Sequence, residues 1–103
     1  MIVAYTTAPN ESIAREIAHH LIKANLASCI NLIPKVKSIY YWQDEIVEDS
    51  EVILMIKSGK SHQQLLINSI VKIHPYDIPE VIILPIEDGF KPYLDWLKNP
   101  ISK

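Results

Sequence analysis

The feature that most limits the fold of this chain is the stretch from Asn31 to Ser58, which reads as two long strands joined by a very short connection. β-Branched and aromatic residues, which favour a pleated surface, are frequent in both arms. Gln43 and Asp44 stand between the arms. A two-residue hairpin loop needs positive φ, which Asp tolerates better than most residues other than Gly. The stretch therefore predicts a β-hairpin that turns at these two residues.

The predicted hairpin is much longer than an ordinary one. At roughly 3.3 Å per residue, arms of about a dozen residues form a ribbon of ~40 Å, whereas the usual strand has about 5 or 6 residues. A ribbon that overhangs its own sheet presents unpaired backbone groups to other chains. We therefore expect an oligomer, and the hairpin residues expected at its interface are Tyr40, Tyr41, Trp42, Val52 and Ile53.

Composition restricts the class of protein. The 103 residues are 49% hydrophobic with only two glycines, which predicts one domain over residues 1–103 and no disordered tail. The formal charge of −2 argues against a nucleic-acid partner, and no run approaches the ~20 apolar residues that span a membrane. The lone Cys29 excludes an internal disulfide, and the first residues lack signal-peptide features. These observations predict a cytoplasmic protein without a membrane partner.

The remaining elements follow from hydrophobic periodicity and from capping residues, prolines and glycines. They are a strand from Ile2 to Thr7, a helix capped by Asn10 that runs to about Ala24, a second helix from near Ser61 to before Pro75, a strand from Val81 to Leu84, and a final helix with Pro92 near its start. The order β, α, β, β, α, β with a terminal helix is typical of the α+β ferredoxin-like sandwich. The usual spatial order of its strands is fourth, first, third, second.

This topology predicts which residues lie close together. Those expected at one end of the sheet are Asn10, Trp42 to Glu45 and His74 to Glu80, and those expected at the other end are Cys29 and Lys57.

A metal site is one hypothesis for the first end of the sheet. The neutral imidazole of His74 with carboxylates from Asp77, Glu80 or Glu45 provides mixed nitrogen and oxygen ligation, which suits zinc, copper or nickel. The alternative is that His74 only ends the second helix, where the helix dipole favours it. Cys29 is a softer ligand, but it reaches His74 only across subunits.

A ligand cleft is a second hypothesis, and its expected residues are Tyr76, Glu45, Asn10 and Lys57. Backbone N–H groups at the helix start beside Asn10 and the ammonium group of Lys57 attract an anionic ligand, although a structural ion pair explains Lys57 equally well. The chain shows no nucleophile–base pair and no glycine-rich phosphate loop. We therefore do not expect an enzyme.

A resemblance to a known family rests on the segments YTTAPNE, LASCINLIP, SIYYW, MIKS, HPYDIPEVIILPI and YLDWL, which extend over nearly the whole chain. Together they resemble the CutA family, the small proteins named for divalent cation tolerance. The resemblance implies a ferredoxin-like fold, a homotrimer whose long hairpins pair around a threefold axis, and copper binding in some members. Copper sites proposed in the family use a cysteine near the end of strand one and adjacent histidines. This chain has Tyr5 and the pair Ile73-His74 at those positions.

The residues and the resemblance together predict a trimeric protein of divalent metal ion tolerance or homeostasis, which binds a divalent cation such as copper or zinc. The alternative is a trimeric small-molecule sensor or signalling scaffold without catalytic activity, whose clefts bind a small anionic metabolite.

Overall fold

The computed structural model describes residues 1–98. In chain order the elements are β1 (Ile2–Ala8), α1 (Glu11–Lys23), β2 (Cys29–Trp42), β3 (Glu45–Ser58), a 3₁₀ turn (Lys60–His62), α2 (Gln63–Ile73), β4 (Ile82–Pro85) and α3 (Lys91–Lys98). The predicted domain span of 1–103 includes residues 99–103, which lie outside the described residues, and it stays a prediction.

The four strands form one antiparallel sheet in the order β2-β3-β1-β4. This is the spatial order that the sequence predicted, and the α+β ferredoxin-like architecture is confirmed. β1 and β4 run antiparallel with Tyr5 opposite Ile82, so the start of β4 lies beside the end of β1. The segment between α2 and β4 therefore crosses the end of the sheet from which the hairpin projects.

Helix α1 begins where the sequence predicted. Oδ1 of Asn10 accepts a hydrogen bond from the N–H of Ile13 at 2.8 Å, which satisfies one of the free donors at the helix start. The helix ends at Lys23, and Asn25 adopts a φ of 60° in the left-handed region that Asn tolerates better than most residues. The apolar stripe that faces the sheet is Ala14, Ile17, Ala18 and Leu21, all of them buried.

Alternate residues of the strands face the helices and form the core. Ala4, Leu54 and Ile56 are fully buried, and Leu66 and Ile70 of α2 join the same cluster. Burial of large aliphatic side chains of this kind stabilises the fold by about 1.5–3 kcal/mol each. The residues that alternate with them face away from α1 and α2, and we call this side the open face: Val3, Tyr5, Ile53, Met55, Ile82 and Leu84.

The hairpin has the predicted turn. Gln43 and Asp44 have φ values of 50° and 65°, which suits the primed two-residue turn that matches the twist of a hairpin. β2 and β3 pair as far as Trp42 opposite Glu45, whereas β1 pairs with β3 only as far as Ala8 opposite Val52. Beyond this last pair, no strand of residues 1–98 pairs with the hairpin as a third strand. We call this part of the hairpin the overhang, and it is ~20 Å long.

A β-bulge interrupts β2 near the base of the overhang. Ile33 pairs with Ile53 and Val36 with Glu51, so β2 contains one more residue than β3 between these pairs, and Lys35 adopts a φ of 60°. Since paired residues share a face, Tyr40 and Trp42 lie on the open-face side of the overhang together with Val47, Asp49 and Glu51.

One of the expected interface residues is placed differently by the structure. Val52 faces the helices opposite Ala8 and is only 6% exposed, so it packs in the core of its own subunit. The expectation that Val52 faces another chain is wrong, because strand alternation points it to the opposite side from Ile53. Ile39, Tyr40, Tyr41, Trp42 and Ile46 of the overhang are exposed.

Among residues 1–98, no helix has the length and apolar character that crossing a membrane requires.

Candidate functional site

A cleft of about 770 Å³ lies between the overhang and the segment from His74 to Glu80. We call it the acidic cleft. Its lining residues are Thr7, Tyr40, Trp42, Val47, Asp49, Glu51, Tyr76, Asp77, Ile78 and Glu80. Its size lies within the range of about 300–1,000 Å³ that is usual for small-molecule sites.

His74 fixes one wall of the acidic cleft. Its backbone N–H donates to the carbonyl of Ile70 at 2.9 Å and closes the last turn of α2. The N–H of Tyr76 donates to Nδ1 of His74 at 3.1 Å, so Nδ1 carries the lone pair and Nε2 carries the proton. Nε2 then donates to the carbonyl of Thr7 at 2.7 Å. The buried imidazole, 7% exposed, thereby joins the segment after α2 to the end of β1.

Both nitrogens of His74 are therefore committed to backbone groups. Coordination of a metal by His74 requires release of either the Tyr76 N–H or the Thr7 carbonyl. Such release leaves a buried polar group unpaired, at a cost of about 1–3 kcal/mol. Within the described residues, no group of three or more His, Cys, Asp or Glu side chains is arranged to hold a metal ion.

Two tyrosines connect the walls of the cleft to its carboxylates. The hydroxyl of Tyr76 donates to Oε2 of Glu51 at 2.9 Å, and that of Tyr40 donates to Oδ2 of Asp49. Burial, followed by the hydrogen bond to Glu51, raises the pKa of Tyr76 to about 12. The hydrogen bond to Asp49 is the main reason that the pKa of Tyr40 is also raised. Both phenols therefore stay neutral near physiological pH and act as donors.

The charged groups of the cleft are all carboxylates. Asp49 and Glu51 come from β3, and Asp77 and Glu80 come from the segment after α2, while no Lys, Arg or His among residues 1–98 lines the cleft. Such a surface attracts cations and repels anions. The expectation of a small anionic metabolite is thus disfavoured at this cleft.

The structure separates the residues that the sequence assigned to one ligand cleft. Of these, Tyr76 lines the acidic cleft, but Glu45, Asn10 and Lys57 do not. Asp77 and Glu80, which were expected as metal ligands, line the acidic cleft beside Tyr76. Glu45 is exposed at the hairpin tip. Asn10 caps α1 and lines a smaller depression with Lys35 and Lys37.

Lys57 lies at the opposite end of the sheet, as the topology predicted. Its ammonium group donates to Oη of Tyr93 at 3.1 Å and lies 5.4 Å from the centroid of that ring. Cys29 pairs with Lys57 across β2 and β3, far along the sheet from His74. The placement of Lys57 in the ligand cleft is therefore wrong.

Asp49, Glu51 and Val47 were missed as cleft residues. Their alternation along one arm of the hairpin was visible in the sequence and indicates a shared face. The sequence did not reveal that Tyr76 reaches this face, because that contact depends on the path of the segment anchored by His74.

The chain was compared with known proteins. Residues 2–100 match the family model of the CutA1 divalent ion tolerance protein. Protein CutA of Homo sapiens is 47% identical over 96 residues, which are 93% of this chain and 54% of the relative. The chain spans about half the length of the mammalian relatives it matches.

Solved structures give the same result. CutA1 from Oryza sativa has a TM-score of 0.93 at 41% identity and covers 95% of this chain and 90% of its own. A protein from Archaeoglobus fulgidus, described as a periplasmic divalent cation tolerance protein CutA, has a TM-score of 0.90 at 31% identity, with 95% and 96% covered. The resemblance read from the sequence motifs is confirmed, and this chain belongs to the CutA1 divalent ion tolerance protein family.

Proposed function

We propose that this protein acts in tolerance of divalent cations as a homotrimer that holds the cation at the carboxylates of the acidic cleft. The observation that carries the proposal is the convergence of Asp49, Glu51, Asp77 and Glu80 on one cleft, which no basic side chain of the described chain lines. Four carboxylates concentrate cations from solution, and carboxylate oxygens are ligands for divalent ions. The family description supports a role in ion tolerance for this chain.

The side chains that are available as metal ligands distinguish a carboxylate site from one that includes His74. Asp77 and Glu80 offer carboxylates, and neither side chain accepts a hydrogen bond from another of residues 1–98. His74 does not offer a lone pair in this arrangement, so the copper or zinc site with His74, Asp77 and Glu80 does not fit without rearrangement. We therefore assign His74 to positioning the segment that carries Asp77 and Glu80.

Assembly as a homotrimer is supported by surface that a single chain leaves uncovered. Tyr41 and Ile46 are 74% and 64% exposed on the overhang, on the side away from the acidic cleft, and Ile82 and Leu84 are exposed on the open face. Contiguous apolar surface and an unpaired hairpin edge favour association with further copies. The number three comes from the family resemblance. A cytoplasmic location, supported by the single cysteine, is part of the same proposal.

The test is calorimetric titration of Cu(II) and of Zn(II) into metal-free protein. We expect the double variant Asp77→Asn, Glu80→Gln to weaken binding at least about tenfold, the effect of losing ~1.4 kcal/mol. The matched control is Glu48→Gln, which removes an exposed carboxylate outside the cleft lining. The oligomeric mass of each variant is checked by light scattering.

His74→Ala separates the two roles of His74. A positioning role predicts weaker binding of both metals together with lower stability. Loss of binding in His74→Ala with full binding in the double carboxylate variant would show instead that His74 is the direct ligand. No binding of either metal to wild-type protein would refute direct cation binding.

A further inference from the structure

Aromatic rings form much of the wall of the acidic cleft, and binding of a metal cation does not explain them. Tyr40 and Trp42 come from β2 and Tyr76 comes from the segment after α2. A hydrated divalent ion gains little from such walls. Rings that surround carboxylates are suited to a cation with an apolar body, since ring faces attract ammonium groups and cover methylene groups.

We propose that the acidic cleft binds an aliphatic organic cation of the diamine or polyamine class, whose ammonium groups pair with the cleft carboxylates and whose methylene chain lies along Tyr40, Trp42 and Tyr76. This inference goes beyond the proposed function, because it requires no metal.

The hydrogen bonds of the two phenols support this assignment. Tyr76 donates to Glu51 and Tyr40 donates to Asp49, so both rings are held against the carboxylates of β3. Each carboxylate keeps further acceptor sites after accepting one phenol. The phenols have no second proton to offer, so the remaining acceptor sites of Asp49 and Glu51 are available to donors from a ligand. An ammonium group brings three.

Size and charge point to the same class. A cleft of about 770 Å³ is far larger than one ion needs, and it accommodates a chain of several methylene groups. Two of its carboxylates come from β3 and two from the segment after α2, which suits a ligand that carries more than one ammonium group. A neutral molecule of the same shape leaves these charges unpaired.

The experiment is calorimetric titration of cadaverine and of spermidine into the full, metal-free chain at low ionic strength. The diol that matches cadaverine in length is the neutral control. We expect binding of both amines, weaker binding in added salt because the cleft is open to solvent, and no binding of the diol.

Variants assign the binding to the cleft. Asp77→Asn with Glu80→Gln, and separately Trp42→Ala, are each expected to weaken amine binding by about tenfold. The matched controls are Glu48→Gln for charge and Phe90→Ala for an exposed aromatic ring outside the cleft lining, and both are expected to bind as wild type does. Trp42 lies on the overhang, so light scattering checks that assembly is unchanged, and the carboxylate pair gives a second variant if it is not.

The outcomes are distinct from those of the metal titration. Absence of amine binding, equal binding of the diol, or equal losses in the control variants overturns this inference, whatever the metals do. Binding of Zn(II) without amines leaves the proposed function standing alone. Binding of amines that depends on Trp42, whereas metal binding does not, supports both.

Discussion

Tyr76 connects two walls of the acidic cleft through a single side chain. It spans the gap between the segment after α2 and Glu51 of β3, and its ring lies 4.7 Å from that of His74. The sequence predicted that Tyr76 belongs to a ligand cleft, but not the role of Glu51. The N–H of Tyr76 donates to His74, and this hydrogen bond helps to position the Tyr76 ring. A hydrogen bond of this kind produces no periodic pattern in the sequence, so the contact with Glu51 could not be predicted.

The first prediction concerns the ionisation of Tyr76. Its pKa is raised to about 12 from 10.0 because the neutral phenol is favoured by burial and by the bond to Glu51. The stability that this preference contributes is complete below pH 10 and is lost as the pH rises towards about 12. When phenolate absorbance is measured against pH, the Tyr76→Phe variant is expected to lack the transition that occurs at the highest pH in the wild type.

The variant Glu51→Gln tests whether the hydrogen bond to Glu51 contributes to the raised pKa of Tyr76. Removing the charge and weakening the acceptor shifts the pKa of Tyr76 downwards, whereas Glu48→Gln leaves the titration unchanged. If Glu51→Gln leaves the highest transition in place, the Tyr76–Glu51 hydrogen bond is absent in solution.

At the scale of elements, the hairpin is the part of the fold that the sequence predicted best. Arm length, turn position and pairing were readable because strand-forming residues run without interruption on both sides of Gln43 and Asp44. The bulge at Lys35 was not predicted, because it results from the register between two arms rather than from either arm alone. Val52 was assigned to the wrong face for a related reason: its run is apolar at every position and has no alternation to read.

The turn gives the second prediction. Asp44 holds a φ of 65°, a region that costs most residues other than Gly roughly 1–2 kcal/mol, whereas the entropic penalty of Gly is about 0.5–1 kcal/mol. Asp44→Gly is therefore expected to raise the free energy of unfolding by about 0.5 kcal/mol. Urea denaturation at matched protein concentration measures the change.

The control places the same substitution inside a strand. Glu48→Gly in β3 gains no relief from strain and is expected to lower the free energy of unfolding by about 0.5–1 kcal/mol. Destabilisation by both substitutions would mean that the turn does not hold positive φ in solution.

At the scale of the whole molecule, the chain is 47 Å long and only 25 by 23 Å across, because the overhang extends beyond the helices. The topology predicted from the sequence correctly placed the segment from His74 to Glu80 at one end and Lys57 at the other. It could not define the acidic cleft, since residues at the same end of a sheet need not face the same side of it. Asn10 and Glu45 illustrate this: both lie towards that end, and neither lines the cleft.

The third prediction tests assembly through the open face. Ile53 is half-buried there beside Met55 and Tyr5, whereas its neighbour Val52 belongs to the core. Ile53→Lys is expected to reduce the mass seen by light scattering from three chains to one. It is also expected to lower the melting temperature by about 5 °C or more, because the stability that assembly contributes is lost.

Leu65→Lys is the matched control, since Leu65 is 61% exposed on α2, away from the open face. It is expected to leave the mass unchanged. A wild-type monomer, or an Ile53→Lys variant of unchanged mass, contradicts assembly through this face.

The bulge at Lys35 also bears on how a gene for this chain can change in length. Because two residues of β2 stand there opposite one of β3, loss of the Lys35 codon leaves every pair from Val36 outward intact. Loss of one codon between Val36 and Trp42 instead shifts the register of the following residues by one, so each of them turns to the opposite face of the hairpin. Tyr41 then faces the acidic cleft in place of Tyr40 or Trp42. The bulge is therefore a place in the hairpin where the loss of one residue preserves the register of the outer arm.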